Sequence, residues 1–358
     1  MEGNNSIKSV QMGFITFITQ TGVGIIMLPS EIAETSGHDG WIPVLLTGLL
    51  IALVCGILVA LLRRYSNKAI YDINRFLFGK VVGTLFNALL VLYLLTAAVM
   101  GSELFVYFIR IALLDETPQW ALAPFIILPS FYLVWYGLKY VSRFLYITIY
   151  SYIPIVILVI ILLKEARISF LLPVGEAGVN GILAGFQDSF LAFLGFELIV
   201  FFYPYITDRE KAMKSQLLAV LASTLFFLIM VVASTAVFGE NFLRVLILPF
   251  FNMSRIYNAP ILERVDLYIT AFWFLPLACS VRAYIFAAFD GLNKVFKVKK
   301  TKWIYVSFFV VLLVLSGLLK SINQLFAVMD ATGYVGAGII AFLILCFFLS
   351  FIRKKGVV

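Results

Sequence analysis

Histidine is nearly absent from this chain of 358 residues, where His38 is the only one. A Ser-His-Asp nucleophile needs an imidazole beside its serine, and a single histidine in the stretch SGHDGW gives little basis for one. Cysteine is also scarce. Cys55, Cys279 and Cys346 are scattered through apolar runs, which excludes a disulfide framework and leaves them as small packing residues. There is no HExxH and no Cys/His cluster for a metal. No GxxxxGK loop followed by Ser or Thr is present to cradle nucleotide phosphates. Charge is thin as well, at 13% of residues against roughly 25% in a soluble domain. With catalytic groups, metal ligands and phosphate loop all missing, the sequence points away from an enzyme and implies no cofactor.

What is abundant is apolar surface: 63% of residues are hydrophobic and 16% aromatic. A bilayer-spanning helix needs about 20 mostly apolar residues. Ten stretches qualify, at about 9–32, 41–62, 81–109, 121–138, 144–163, 183–205, 216–238, 265–290, 303–319 and 333–352. No composition shift divides residues 1–358, so the chain reads as a single integral membrane domain. The first stretch is too long for a signal-peptide core and lacks a small-residue cleavage site.

The net charge of +8 raises nucleic-acid binding, but its distribution answers differently. With the N-terminus inside, 19 of the 27 Lys and Arg fall in cytoplasmic loops, seven fall outside, and Arg282 lies within a span. That bias orients a multi-pass protein with both termini cytoplasmic, and anionic lipid is the partner it suggests. Two longer outer connections, 164–182 and 239–264, read as interfacial or re-entrant helices or as packed loops, which composition does not separate.

The first span contains TGVGIIMLPS at residues 21–30, bringing Gly22, Gly24 and Pro29 into its centre. All are poor helix residues, so a break is expected there. The sixth span, LAFLGFELIVFFYPY at 191–205, is interrupted in the same way, with Gly195 and Glu197 central and Pro204 near its end. Ten spans divide into five plus five, about 9–163 and 183–352, and with both termini inside the two halves have opposite orientation. Matched interrupted spans in such inverted repeats mark a midplane binding site. Unwinding exposes N–H and C=O groups that hydrocarbon cannot satisfy. Freed N–H groups suit a carboxylate and freed carbonyls an ammonium, so a zwitterionic amino acid would meet both. The competing reading is that Gly22 and Gly24 only allow close helix packing, as the glycines of TGYVGAGII in span 10 do.

The stretch QMGFITFITQTGVGIIMLPSEIAETSGHDGW at residues 11–41, with the ten-span layout, the short basic loops and the FLGFE break, resembles the spore germination permease family. These proteins are the B subunits of nutrient germinant receptors, within the amino acid–polyamine–organocation transporter superfamily. The resemblance implies a five-plus-five inverted-repeat fold and a small nutrient, expected to be an amino acid, held between spans 1, 3, 6 and 8. It implies partner A and C subunits in the spore inner membrane. Carried onto this chain, the break backbone is Thr21, Gly22, Val23 and Gly24, facing Leu194, Gly195, Phe196 and Glu197. Thr96 and Glu103 are the span 3 candidates, and Cys279 and Arg282 those of span 8. Sodium-coupled relatives place paired hydroxyls on span 8, where this chain has PLACSVRAY, and a proton-coupled branch places a lysine in mid-span 5, where this chain has only Lys164 at the outer end. The alternative function, a proton-coupled amino acid permease, therefore lacks its coupling residues.

Ionisable residues inside a span are functional candidates by default. Glu197 could receive a ligand ammonium or serve as a structural hydrogen-bonding group. Arg282 lies eight residues, or about 12 Å, from Asp290 at the span's cytoplasmic end. Its expected partner is Glu197, Glu103 or a backbone carbonyl. Glu103 lines the outer vestibule or pairs with Arg110. His38 is expected to be a solvated loop residue, with a pH switch as the sharper alternative.

Overall fold

The structure, a computed structural model, describes residues 5–65, 68–114, 116–257, 264–297, 302–316 and 321–353. Residues 258–263 of the second outer connection, residues 298–301 of the basic loop and residues 354–358 lie outside the described set.

The first span is broken. Helix α1 (Ser9–Gly24) ends at the paired glycines, and α2 (Leu28–Ser36) restarts at 65° to it. Pro29 occupies the first turn of α2, where its missing N–H costs nothing. Then follow α3 (Trp41–Arg64), a short amphipathic α4 (Ile70–Phe78), α5 (Lys80–Ala112) and α6 (Gln119–Tyr136). The fifth span is α7 (Leu138–Thr148) continued by α8 (Tyr152–Leu162). The sixth is α9 (Gly178–Ala192) followed, at 46°, by a segment from Phe196 to Tyr205 that contains α10 (Ile199–Phe202). Next come α11 (Ala212–Phe238), α12 (Glu240–Leu243), α13 (Pro249–Ile256), α14 (Val265–Phe296), α15 (Lys302–Leu315) and α16 (Ile322–Ile352).

The chain is thus an all-helical membrane protein. Among the described residues, seven helices are long and apolar enough to cross a bilayer, and the two bent pairs raise the number of candidate spans to nine. The ninth apolar stretch of the sequence forms only the shorter helix Trp303–Leu315, and residues 317–320 at its end are not described. Thirteen residues cover roughly 20 Å at 1.5 Å each, short of a bilayer core of about 30 Å. Helix α16 begins eleven residues before the apolar run at 333, because Ser321 caps it by accepting the Gln324 N–H at 3.3 Å. The candidate span of α16 accordingly runs from Asn323 to Ile352.

Helices α1, α5, α11 and α14 form the centre, and α14 is buried along most of its length. The N-terminus is stitched to the end of the sixth span. Ile7 N–H donates to the Tyr205 carbonyl at 3.0 Å, and Thr207 N–H donates to the Ile7 carbonyl at 3.0 Å. Asp208 then caps α1, accepting from Ser9 N–H at 2.6 Å and the Ser9 hydroxyl at 2.8 Å. Both broken spans are therefore anchored at one level of the bundle.

At the other end of the first span, His38 is buried, 7% exposed, rather than solvated. Its Nδ1 lies 2.9 Å from Glu240 and its Nε2 lies 2.5 Å from the Pro173 carbonyl. Glu240 also accepts from the His38 N–H and pairs with Arg244 at 3.4 Å. Burial acts to raise the Glu240 carboxyl, but these donors leave it below its ordinary range. Asp39 accepts the N–H groups of Gly175 and Ala177 at 3.0 Å. The 164–182 connection and α12 thereby clamp the end of α2. In the second connection Phe250, Phe251 and Met253 of α13 are buried, whereas no residue of 164–182 is fully buried.

Partial burial acts to raise the Asp208 carboxyl, yet the two Ser9 donors hold it below its usual range. A depressed carboxyl stabilises the fold above its unfolded value, about 3.9, and loses that contribution as pH falls through the lower folded value. Asp208→Ala should therefore lower the thermal midpoint of the detergent-solubilised protein at pH 7, by the ~1 kcal/mol typical of a lost cap. The gap between variant and wild type should narrow as pH falls through the depressed folded value.

Candidate functional site

Of the break glycines, only Gly195 adopts a left-handed backbone, with φ of +120°. A Cβ there would also sit 2.7 Å from Thr19 Cγ2, so glycine is required twice over. Gly22 and Gly24 have no positive φ. They permit close approach instead. A Cβ on Gly22 would lie 2.9 Å from the Pro276 carbonyl oxygen of α14, and one on Gly24 would lie 2.7 Å from Phe227 Cζ and 2.9 Å from the Ala192 carbonyl oxygen. Gly24 thus lets the two broken spans touch at their breaks.

Side chains satisfy much of the unwound backbone. Gln20 donates its amide to the Phe193 carbonyl at 2.7 Å and accepts from Ser223 at 2.5 Å. Glu197 accepts the Gly195 N–H on Oε2 at 2.7 Å, and the Tyr93 and Tyr284 hydroxyls on Oε1 at 2.8 Å each. Ser280 donates to the Ile18 and Pro276 carbonyls, both at 3.0 Å. Thr21 bonds the Phe17 carbonyl at 2.7 Å and the Tyr152 hydroxyl at 2.5 Å.

Beside this network lies a cavity of about 320 Å³. Val23 and Gly24 at the first break, Leu194 at the second, Tyr93 of α5 and Tyr284 of α14 line one end, together with Thr19. The other end is formed by Glu31 and Glu34 of α2, Asp188 of α9 and Asp330 of α16. Val23, Gly24 and Leu194 are thus the candidates that face the cavity. Thr21, Gly22, Gly195, Phe196 and Glu197 stand behind its wall, and Glu197 reaches it only through the two tyrosines that bond it.

The remaining candidates lie apart from it. Thr96 donates to the Tyr93 carbonyl at 2.9 Å. Glu103 accepts from Gln119 of α6, and its other carboxyl oxygen has no partner. Cys279 lies 3.3 Å from Thr148 on the α7 side of α14. Arg282, 6% exposed, stacks its guanidinium on Phe144 at 4.6 Å and neighbours Cys279. Among the described residues its Nε and Nη1 have no partner, so neither Glu197 nor Glu103 neutralises it.

Thr19, Tyr93, Tyr284, Glu31, Asp188 and Asp330 escaped the sequence reading. Asp188 was visible as an acid inside the sixth apolar stretch, and Glu31 as one at the end of the first. Asp330 precedes the tenth apolar run and counted as loop until α16 extended over it. Nothing in sequence marked the tyrosines, whose role comes from meeting Glu197 across three helices.

A profile of the spore germination protein family matches residues 6–325. Spore germination protein B2 of Bacillus subtilis (strain 168) is 26% identical over 349 residues, covering 94% of this chain and 93% of the relative. Spore germination protein YndE of the same organism is 25% identical, covering 98% of each. The fold is similar to that of MhsT in complex with L-phenylalanine, with a TM-score of 0.64, 15% identity and coverage of 93% of this chain and 87% of the other. It is also similar to closed MHP1, a nucleobase-cation-symport-1 family transporter with bromovinylhydantoin bound, at a TM-score of 0.62, 13% identity and coverage of 96% and 78%.

Two outcomes follow for purified protein. Tyr93→Phe and Tyr284→Phe should each destabilise it by ~1.5–3 kcal/mol, as expected for a bond to a carboxyl group, and the double variant should depart from additivity in thermal unfolding. Arg282→Met should melt at or above the wild-type temperature, because it removes an unpaired buried charge and keeps an apolar chain against Phe144. A large loss of stability would mean that the guanidinium is paired.

Proposed function

Because the chain belongs to the spore germination protein family, we propose that it is the membrane subunit of a nutrient germinant receptor, binding a small nutrient in the cavity between its two broken spans. The carrying observation is that one cavity contacts both breaks, at Gly24 and Leu194, together with Tyr93 and Tyr284. The site thereby draws on spans 1, 3, 6 and 8 and also on α16. An amino acid is the nutrient class we favour, in keeping with a neighbour of similar fold solved with L-phenylalanine. A and C subunits would be its partners in the spore inner membrane, with both termini cytoplasmic and the halves 9–163 and 183–352 as inverted repeats of one domain.

The second reading is a proton-coupled amino acid permease, favoured by the similarity in fold to MHP1, a nucleobase-cation-symport-1 family transporter. Two observations favour sensing over ion-driven transport. The Ser280 hydroxyl is already engaged by two carbonyls, and Lys164 follows the end of α8 instead of lying within it.

Filling the cavity tests this. Ala97 lines it from α5, so Ala97→Phe should shift the nutrient dose–response of spores at least tenfold at unchanged subunit abundance. An unaltered dose–response would exclude the cavity as the nutrient site. Concentrative uptake of the same nutrient into proteoliposomes would instead favour the permease.

A further inference from the structure

The cavity is chemically lopsided. Four carboxyl groups, those of Glu31, Glu34, Asp188 and Asp330, line one end, and among the described residues no Lys, Arg or His lines it. Glu31 lies within electrostatic range of the other three. None of the four takes part in an ion pair among the described residues. The Thr35 hydroxyl donates to Asp188 at 2.9 Å, which still leaves the set without a counter-charge. Like charges brought together without a counter-charge repel. A cavity walled by one sign of charge also concentrates the opposite one.

A second, independent feature sits at the opposite end. Thr19 lines the cavity and is 2% exposed, and its hydroxyl has no hydrogen-bond partner among the described residues. Buried hydroxyls without partners are uncommon, and here the vacant valence belongs to a side chain of the cavity wall. Between the two ends the wall is apolar, built from Val23, Met100, Leu104, Leu191 and Val281.

We propose that this cavity takes a small organic cation: an ammonium group among Glu31, Asp188 and Asp330, an apolar body along the wall, and a hydrogen-bonding group at Thr19. The proposal rests on the reading of this cavity as the ligand site and adds the ligand's charge. A net-positive ligand relieves the repulsion, whereas an anion meets four acids and no cation. A zwitterion meets the same acids, so it must turn its carboxylate inward.

The test uses full-length protein in a neutral detergent, titrated calorimetrically with four matched probes: pentylamine, pentanol, pentanoate and aminopentanol. Pentylamine should bind at least tenfold more tightly than pentanol, and pentanoate should not bind. Glu31→Gln combined with Asp188→Asn should weaken pentylamine at least tenfold, leave pentanol unchanged and leave the melting temperature at or above wild type. Aminopentanol should bind more tightly than pentylamine, and Thr19→Val should erase that difference. Equal binding of pentylamine, pentanol and pentanoate, or wild-type amine affinity in the double variant, overturns the proposal. If the amine series fails while Ala97→Phe still silences the nutrient response, the cation assignment falls and the cavity remains the nutrient site. If Ala97→Phe leaves that response intact, the receptor reading falls, and the amine titration still decides the charge preference.

Discussion

Everything near the centre of this protein depends on one constraint: backbone that leaves the helix inside a membrane must find its hydrogen bonds within the protein. The sixth span meets it with two side chains. Gln20 crosses from α1 to take up the Phe193 carbonyl, and Glu197 folds back on its own break to accept the Gly195 N–H. Glu197 also gathers Tyr93 from α5 and Tyr284 from α14, so one carboxyl group fixes the break against two neighbouring spans. Each bond is worth ~1–3 kcal/mol on its own, and their shared acceptor makes them interdependent.

This arrangement shifts attention from backbone to side chains as the source of specificity. Because Gln20 and Glu197 already serve the second break, the cavity offers a ligand mainly the hydroxyls of its wall and the carboxyl groups of its rim. The tyrosines that brace Glu197 are themselves part of that wall, so a ligand pressing on them would bear directly on the break. On the receptor reading proposed above, that link between occupancy and a broken span would carry the signal. Arg282 stands outside this economy, a buried cation resting on an aromatic face with two unsatisfied nitrogen atoms.

The sequence reading reached the membrane, the matched breaks and the family through features that are local in the chain. Apolar run length and glycine spacing act within a few residues, and among the described residues the structure shows seven long apolar helices and two bent pairs at the expected breaks. It placed Glu197 beside the break and drew two roles for it, and the three donors around that carboxyl group supply what the sequence could not. His38 went the other way: a loop histidine flanked by Gly and Asp looks solvated, and only the fold brings Glu240 and Pro173 over it.

By itself, the sequence determined that this chain is a polytopic helical membrane protein interrupted at two corresponding spans, because hydropathy and backbone freedom are properties of consecutive residues. The tertiary structure alone decided which groups face the cavity. Thr19, Tyr93, Asp188, Tyr284 and Asp330 come from five segments of the chain, and their meeting depends on how helices rotate and cross. A rotation of one residue about a helix axis turns a side chain by about 100°, from the cavity to the lipid. No spacing along the chain fixes that angle; packing against the neighbouring helices does.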